Sequence, residues 1–131
     1  MCGVVGTTHC KTISELHDHY SQTVGHETSL YPYGDENIDG ERIAICPGGG
    51  NDMFVAEEMM RNNIRTLITG VTIVNDHSRE THEFEKANRI NVLGGTHYST
   101  EKYAPMEMCK YFNGLGLPSE FIEDAADLFD L

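Results

Sequence analysis

Apolar residues recur along this chain in two patterns. Short β-branched runs end at glycine or proline, and longer polar stretches return an apolar residue every three or four positions. The first run, residues 2–5, is bounded by Gly6 and predicts a strand. Thr12-Ile13-Ser14-Glu15 then reads as a capping box, in which the threonine hydroxyl and the glutamate carboxylate satisfy amides left free at a helix start. Ile13, Leu16, Tyr20 and Val24 follow on one face of a helix that Gly25 can terminate. Residues 28–33 predict a strand that breaks at Pro32 and the turn Gly34-Asp35-Glu36-Asn37, and residues 42–46 predict another that ends in Pro47-Gly48-Gly49-Gly50. Asn51 is placed to cap the next helix, with Phe54, Val55, Met59 and Met60 as its apolar stripe and Glu57, Glu58 and Arg61 facing out.

Residues 64–74, interrupted by Gly70, are β-branched enough for one or two buried strands. Residues 76–88 predict a polar surface helix with Ser78 as its cap and only Phe84 and Ala87 clearly apolar. Residues 90–93 predict the last good strand, and a helix carrying Met106, Met108, Cys109, Tyr111 and Phe112 follows until Gly114. Pro105 cannot donate to the carbonyl of Glu101. The helix therefore either bends there or begins nearer Tyr103, and the bent helix is the favoured reading. Residues 120–122 predict a short strand, and the acidic end, 123–131, a frayed helix. Together these elements predict one α/β domain over residues 1–131, a mixed sheet with helices packed on it.

Composition narrows the partners rather than the fold. Nine Lys and Arg against 21 Asp and Glu give a net charge of -12, which argues against nucleic acid or an anionic membrane as the main partner. Four cysteines, Cys2, Cys10, Cys46 and Cys109, show no C-x-x-C spacing and read as reduced thiols. No apolar run approaches the ~20 residues a membrane span needs, and no basic segment leads into an apolar one at the N-terminus, so the expected location is cytoplasmic.

Two places carry candidate chemistry. The order strand, glycine, helix occurs at residues 46–51 and again at 93–99. In a sheet with parallel neighbours such turns fall at the carboxyl ends of strands, where ligands of α/β sheets bind. Amides of Gly48, Gly49, Gly50 and Asn51 are candidates for an anionic part of a small-molecule substrate, although glycines also simply permit tight turns. No P-loop lysine follows them, so an ordinary nucleotide triphosphatase is not expected. His97 and Glu101, four residues apart, can share one helical face and suit zinc, manganese or iron. Such pairs are also common on helix surfaces, and a catalytic zinc uses a third protein ligand. His17 and His19 point roughly 200° apart on their helix and cannot chelate one ion. Spacing alone leaves the function undecided.

The runs Ile43-Ala44-Ile45-Cys46-Pro47-Gly48-Gly49-Gly50, Leu67-Ile68-Thr69-Gly70 and Ile90-Asn91-Val92-Leu93-Gly94-Gly95-Thr96-His97-Tyr98-Ser99-Thr100-Glu101 resemble, in order, the C-terminal part of the Ngg-interacting-factor-three family. That family is also known as the dinuclear metal centre proteins and as GTP cyclohydrolase I type 2. The resemblance runs from about residue 16 to 122, and its most specific part is Gly95-x-His97-Tyr98-x-x-Glu101. It implies one half of an α/β fold, ring-like homo-oligomers, and two divalent metal ions held close together with His97 and Glu101 among the ligands. It also implies a metal-dependent hydrolase of GTP cyclohydrolase or phosphoester hydrolase type. His82 is a secondary position, since the family often carries a histidine in the helix before the last strand; an exposed histidine on a polar helix is the plainer reading.

The sequence departs from that pattern in one respect. The family's other ligands, an adjacent histidine pair and an aspartate, belong to an N-terminal half, and no His-His dipeptide occurs here. The expectation is a C-terminal domain that needs a missing N-terminal half to complete its centre, and that self-associates to cover an exposed apolar face. The alternatives are a non-catalytic oligomerisation or binding module with an incomplete metal site, and a nucleotide-binding regulator that uses the glycine turns without metal.

Overall fold

Strict alternation along three strands builds the core. In the computed structural model, which describes residues 3–131, Ala44 and Cys46 of one strand, Leu67 of the next and Val92 of the third face one side. Ile43, Ile68 and Leu93, their immediate neighbours, face the other. These strands are β3 (Arg42–Cys46), β4 (Thr66–Thr69) and β5 (Asn91–Gly94), and they run parallel. Antiparallel edges close the sheet. β1 (Val4–Thr7) pairs with β3 and β2 (Ser29–Tyr31) pairs with β5, giving the order β1-β3-β4-β5-β2. The sheet is therefore mixed, as expected.

Helices cover both faces. α1 (Ile13–Val24) lays Ile13, Leu16 and Tyr20 on the side of Ile43, Ile68 and Leu93. α2 (Met53–Arg61) and α3 (Arg79–Ala87) lie on the other side, where Val55, Ala56, Met59 and Phe84 meet Leu67 and Val92. Leu67, Val92 and Leu93 are fully buried, each contributing about 1.5–3 kcal/mol of apolar transfer. α1 begins and ends as its sequence predicts. Thr12 Oγ1 accepts from the Glu15 amide at 3.1 Å, the Glu15 carboxylate takes the Lys11 amide at 2.8 Å, and Gly25 closes the helix at φ 81°.

Several elements differ from the sequence expectation. The strand expected over residues 2–5 begins at Val4 and runs through Gly6, while Cys2 lies outside the described residues. Asp52, not Asn51, caps α2, its Oδ1 accepting from the Val55 amide at 2.8 Å. Phe54 is exposed, because the buried stripe centres on Val55, Ala56 and Met59 and a neighbour one residue away points about 100° off it. Residues 64–74 supply one strand, the shorter of the two expected outcomes, since the chain turns away at Gly70. α3 is not a surface helix with an apolar edge. It buries Thr81, His82 and Glu85 and exposes Ala87, and Ser78 makes no side-chain cap.

The helix is broken at Lys102 and the long segment begins at Tyr103, with His97 and Glu101 on a short helical segment of their own before it. α4 (His97–Glu101) and α5 (Tyr103–Gly114) are separated at Lys102, whose amide still bonds to the Tyr98 carbonyl at 2.9 Å. Residues 120–122 form no strand, and the end of the chain is not a helix but a single 3-10 turn, Leu128–Asp130. α5 buries none of its residues. Among the described residues no helix is long and apolar enough to cross a membrane.

Candidate metal centre

Register decides the site. Cys46 pairs with Thr69 and Thr69 with Gly94, so the carboxyl ends of β3, β4 and β5 are level and the turns that follow them meet. The Gly48 carbonyl accepts from the amides of Gly70 at 3.1 Å and Val71 at 2.9 Å, and the Gly70 carbonyl accepts from Thr96 at 3.1 Å. Thr100 ties the group together: its Oγ1 accepts from the Gly48 amide at 3.0 Å and lies 2.9 Å from the Thr96 carbonyl. A side chain at Gly70 would run into the Gly48 carbonyl and the Thr100 hydroxyl.

On this platform His97 Nε2 lies 3.2 Å from Glu101 Oε2, and both side chains are about half exposed, 54% and 53%. α4 delivers them one turn apart on one face, as the spacing predicts. Gly48, with φ +66°, lies directly beneath. A Cβ there would overlap the Glu101 carboxylate and stand 2.9 Å from His97 Nε2. The structure thus joins the two sequence motifs, with the glycine turn forming the floor on which the His–Glu pair rests. Imidazole and carboxylate are donors that zinc, manganese and iron share, and the floor leaves room that any larger residue would fill, so the pair fits a divalent ion. It is a partial fit, because no group of three or more His, Cys, Asp or Glu side chains able to hold an ion occurs among the described residues.

The backbone entering α4 is strained. Thr96, a fully buried β-branched residue, adopts φ 68° and ψ 153°, a region otherwise occupied by glycine. Its hydroxyl accepts from the Ser99 amide at 3.2 Å, and the next amide, that of His97, donates to Asp130 Oδ2 of the C-terminal turn at 2.7 Å. The sequence reading missed Thr96, Thr100 and Asp130. Only a residue's φ marks the first, and only long-range contact marks the others.

The rest of the glycine turn faces elsewhere. Gly49, Asn51 and Asp52 line a cleft of about 400 Å³, together with Val71, Ile73, Asn75 and His77. Gly48 and Gly50 are buried, so of the turn's glycines only Gly49 presents a surface to this cleft. Asn51 Nδ2 lies 3.2 Å from His82 Nε2, which in turn lies 2.9 Å from the Thr72 carbonyl.

His82 is buried rather than exposed, which overturns the plainer reading of its helix. Its Nδ1 meets the Tyr33 hydroxyl at 3.2 Å and Glu85 Oε2 at 3.5 Å, and its ring lies 4.7 Å from that of Tyr31. With the Nε2 proton donated to Thr72, Nδ1 is the acceptor for Tyr33, the neutral tautomer. Burial holds the His82 pKa below its ordinary value, and burial pushes the fully enclosed Glu85 carboxyl up to about 8. His82 is therefore not among the groups brought to His97 and Glu101. Tyr20, whose hydroxyl lies against Gly95, is likewise pushed up by burial and by Tyr103.

The family model for Duf34/NIF3 (NGG1p interacting factor 3) matches residues 1–125. Protein ybgI, of unknown function, superposes with a TM-score of 0.72 at 21% identity, covering 86% of this chain and 42% of its own. Reduced HcgD from Methanocaldococcus jannaschii gives a TM-score of 0.65 at 16% identity, covering 86% of this chain and 42% of its own. The Bacillus cereus protein related to NIF3 gives 0.65 at 11% identity, covering 98% of this chain and 36% of its own. The chain thus spans less than half the length of these structures, and at these identities the likeness is one of fold. No curated protein matches the chain.

Proposed function

The chain belongs to the Duf34/NIF3 family, and from that premise we propose that it supplies His97 and Glu101 as ligands for a divalent ion of the zinc, manganese or iron class. In this reading it is the C-terminal domain of a metal-dependent hydrolase-like protein, of GTP cyclohydrolase or phosphoester hydrolase type. The observation that carries the reading is the His97–Glu101 approach of 3.2 Å over the Gly48 floor. A bound ion would supply Lewis-acid polarisation of a substrate oxygen. The chain's own residues do the rest. His97 Nε2 and Glu101 Oε2 hold the ion, Thr100 fixes the glycine turn to α4, and the cleft at Gly49 and Asn51 takes the body of a small-molecule substrate. Two ligands are fewer than catalytic sites use, so the remaining donors come from a second polypeptide segment or another subunit.

Metal analysis of the purified chain with a titration of Zn²⁺ or Mn²⁺ tests this. Uptake lost in both His97→Ala and Glu101→Ala is the expected result, and uptake unchanged in both would sink the assignment. A second reading, a non-catalytic oligomerisation module, is favoured by α5, which leaves Tyr103, Met108 and Tyr111 exposed and buries nothing. We propose self-association in either case. Light scattering at micromolar concentration that returns only monomer would refute it.

A further inference from the structure

Strain at the entry to α4 has to be held by something. Thr96 sits in a glycine-only conformation, and it is fixed on its N-terminal side by its own amide, bonded to the Gly70 carbonyl at 3.1 Å. On its C-terminal side the next amide, His97, is taken by Asp130 Oδ2 at 2.7 Å. The same residue is anchored across the neighbouring turn, since the Asp130 carbonyl accepts from the amides of Thr72 at 2.7 Å and Ile73 at 3.0 Å. Earlier in the tail, the Asp124 amide donates to the Tyr98 hydroxyl at 2.8 Å, and Glu123 lies 3.6 Å from Lys102. The tail therefore meets α4 at its start and its end.

We propose that this C-terminal turn is an intramolecular clamp, with Asp130 the positioning residue that holds the strained Thr96–His97 turn and so sets His97 over Gly48 and beside Glu101. The clamp is held by polar contacts rather than by apolar burial. Leu128 is half exposed and Phe129 is 84% exposed, so the hydrogen bonds of Asp130 decide where the turn rests. A carboxylate acceptor is suited to this, because a charge-assisted bond to an amide is roughly twice as strong as a neutral one. Asp130 also lies beyond the residues, 1–125, that match the family. The role for His97 rests on the ligand reading above, whereas the clamp itself does not.

The test uses the full chain and amide hydrogen exchange. Asp130→Ala should speed exchange of the His97 amide about tenfold, the effect expected for losing a bond to a charged acceptor, and should speed the Thr72 and Ile73 amides, bonded to the backbone carbonyl that alanine keeps, by less. Asp130→Asn, which keeps an oxygen acceptor, should restore most of the protection. In a Thr96→Gly background, where the backbone is no longer strained, Asp130→Ala should change the His97 amide about threefold or less. Unchanged His97 exchange in Asp130→Ala would overturn the clamp, and so would equal effects in both backgrounds. A Zn²⁺ titration adds the functional arm. Asp130→Ala should weaken affinity about tenfold with recovery in Asp130→Asn. If His97→Ala leaves Zn²⁺ uptake unchanged, the ligand reading fails while exchange still judges the clamp.

Discussion

α3 and α4 each carry a histidine and a glutamate within one turn of each other, and the fold treats these two pairs in opposite ways. On α4, His97 and Glu101 stand 3.2 Å apart with about half of each side chain in solvent. On α3, His82 and Glu85 stand 3.5 Å apart with 5% and 0% of their side chains exposed. The exposed pair stands on a floor of glycine with its donor atoms reachable from solvent, without opening the core. The buried pair is closed to solvent, and neither Glu85 oxygen is hydrogen-bonded. His82 is spent on Thr72 and Tyr33, and Glu85 is kept protonated by the lack of water around it. The same two residue types thus make a solvent-accessible pair in one place and an enclosed one in another, and position in the fold rather than identity decides which.

Substitutions that exchange these roles would break the comparison. The largest effect is expected at His82→Ala, which removes contacts to three segments, those of Tyr33, Asn51 and Thr72, and leaves the Tyr33 hydroxyl without its partner. Urea denaturation should show a loss of about 3 kcal/mol. The second concerns pH. The folded protein holds a proton on Glu85 up to about pH 8, whereas the unfolded chain releases it near the ordinary carboxyl value. Unfolding therefore releases that proton between these values, and stability falls as pH rises through the window and levels off above about 8. His82 contributes the opposite slope only on the acid side, as pH falls below its ordinary pKa of about 6.5. Between pH ~6.5 and ~8.5 the loss should be on the order of 2 kcal/mol. Glu85→Gln should flatten it. A slope that survives the substitution would refute the buried-proton account.

Smaller effects sharpen the other side of the comparison. Gly48→Ala places a methyl group against Glu101 and forces a left-handed φ on alanine, and should cost about 1–2 kcal/mol while separating the ligand pair. Thermal denaturation and Zn²⁺ affinity measured on one sample would test both halves of that expectation. His97→Ala should shift stability by no more than about 0.5 kcal/mol, since an exposed pair contributes little, while abolishing metal uptake. A large stability loss there would mean that the two pairs are not different in kind.

Much of the fold is legible in the sequence alone. The alternation in residues 42–46 and the capping residues Thr12 and Gly25 carry their meaning locally, and α1 and the three parallel strands form where those signals predict. The His97–Glu101 pair was legible for the same reason, because a helical turn fixes the distance between positions four apart. α3 was misread. Its pattern is polar, and no local rule separates a polar face that meets water from one that meets Tyr31, Tyr33 and Thr72 across the fold. Asn51 was misplaced as a cap because Asp52, beside it, offers an equally suitable oxygen.

By itself, then, the sequence determined the alternating strands, the helix caps and the shared face of His97 and Glu101, all consequences of short-range geometry. Only the tertiary structure decided that Gly48 lies under that pair, that His82 and Glu85 are enclosed, and that Asp130 takes the His97 amide. Each of these depends on the register of parallel strands or on where the chain's end returns. Register levels the turns after Cys46, Thr69 and Gly94, and so brings together residues some 50 positions apart, as in the Gly48–Thr100 bond.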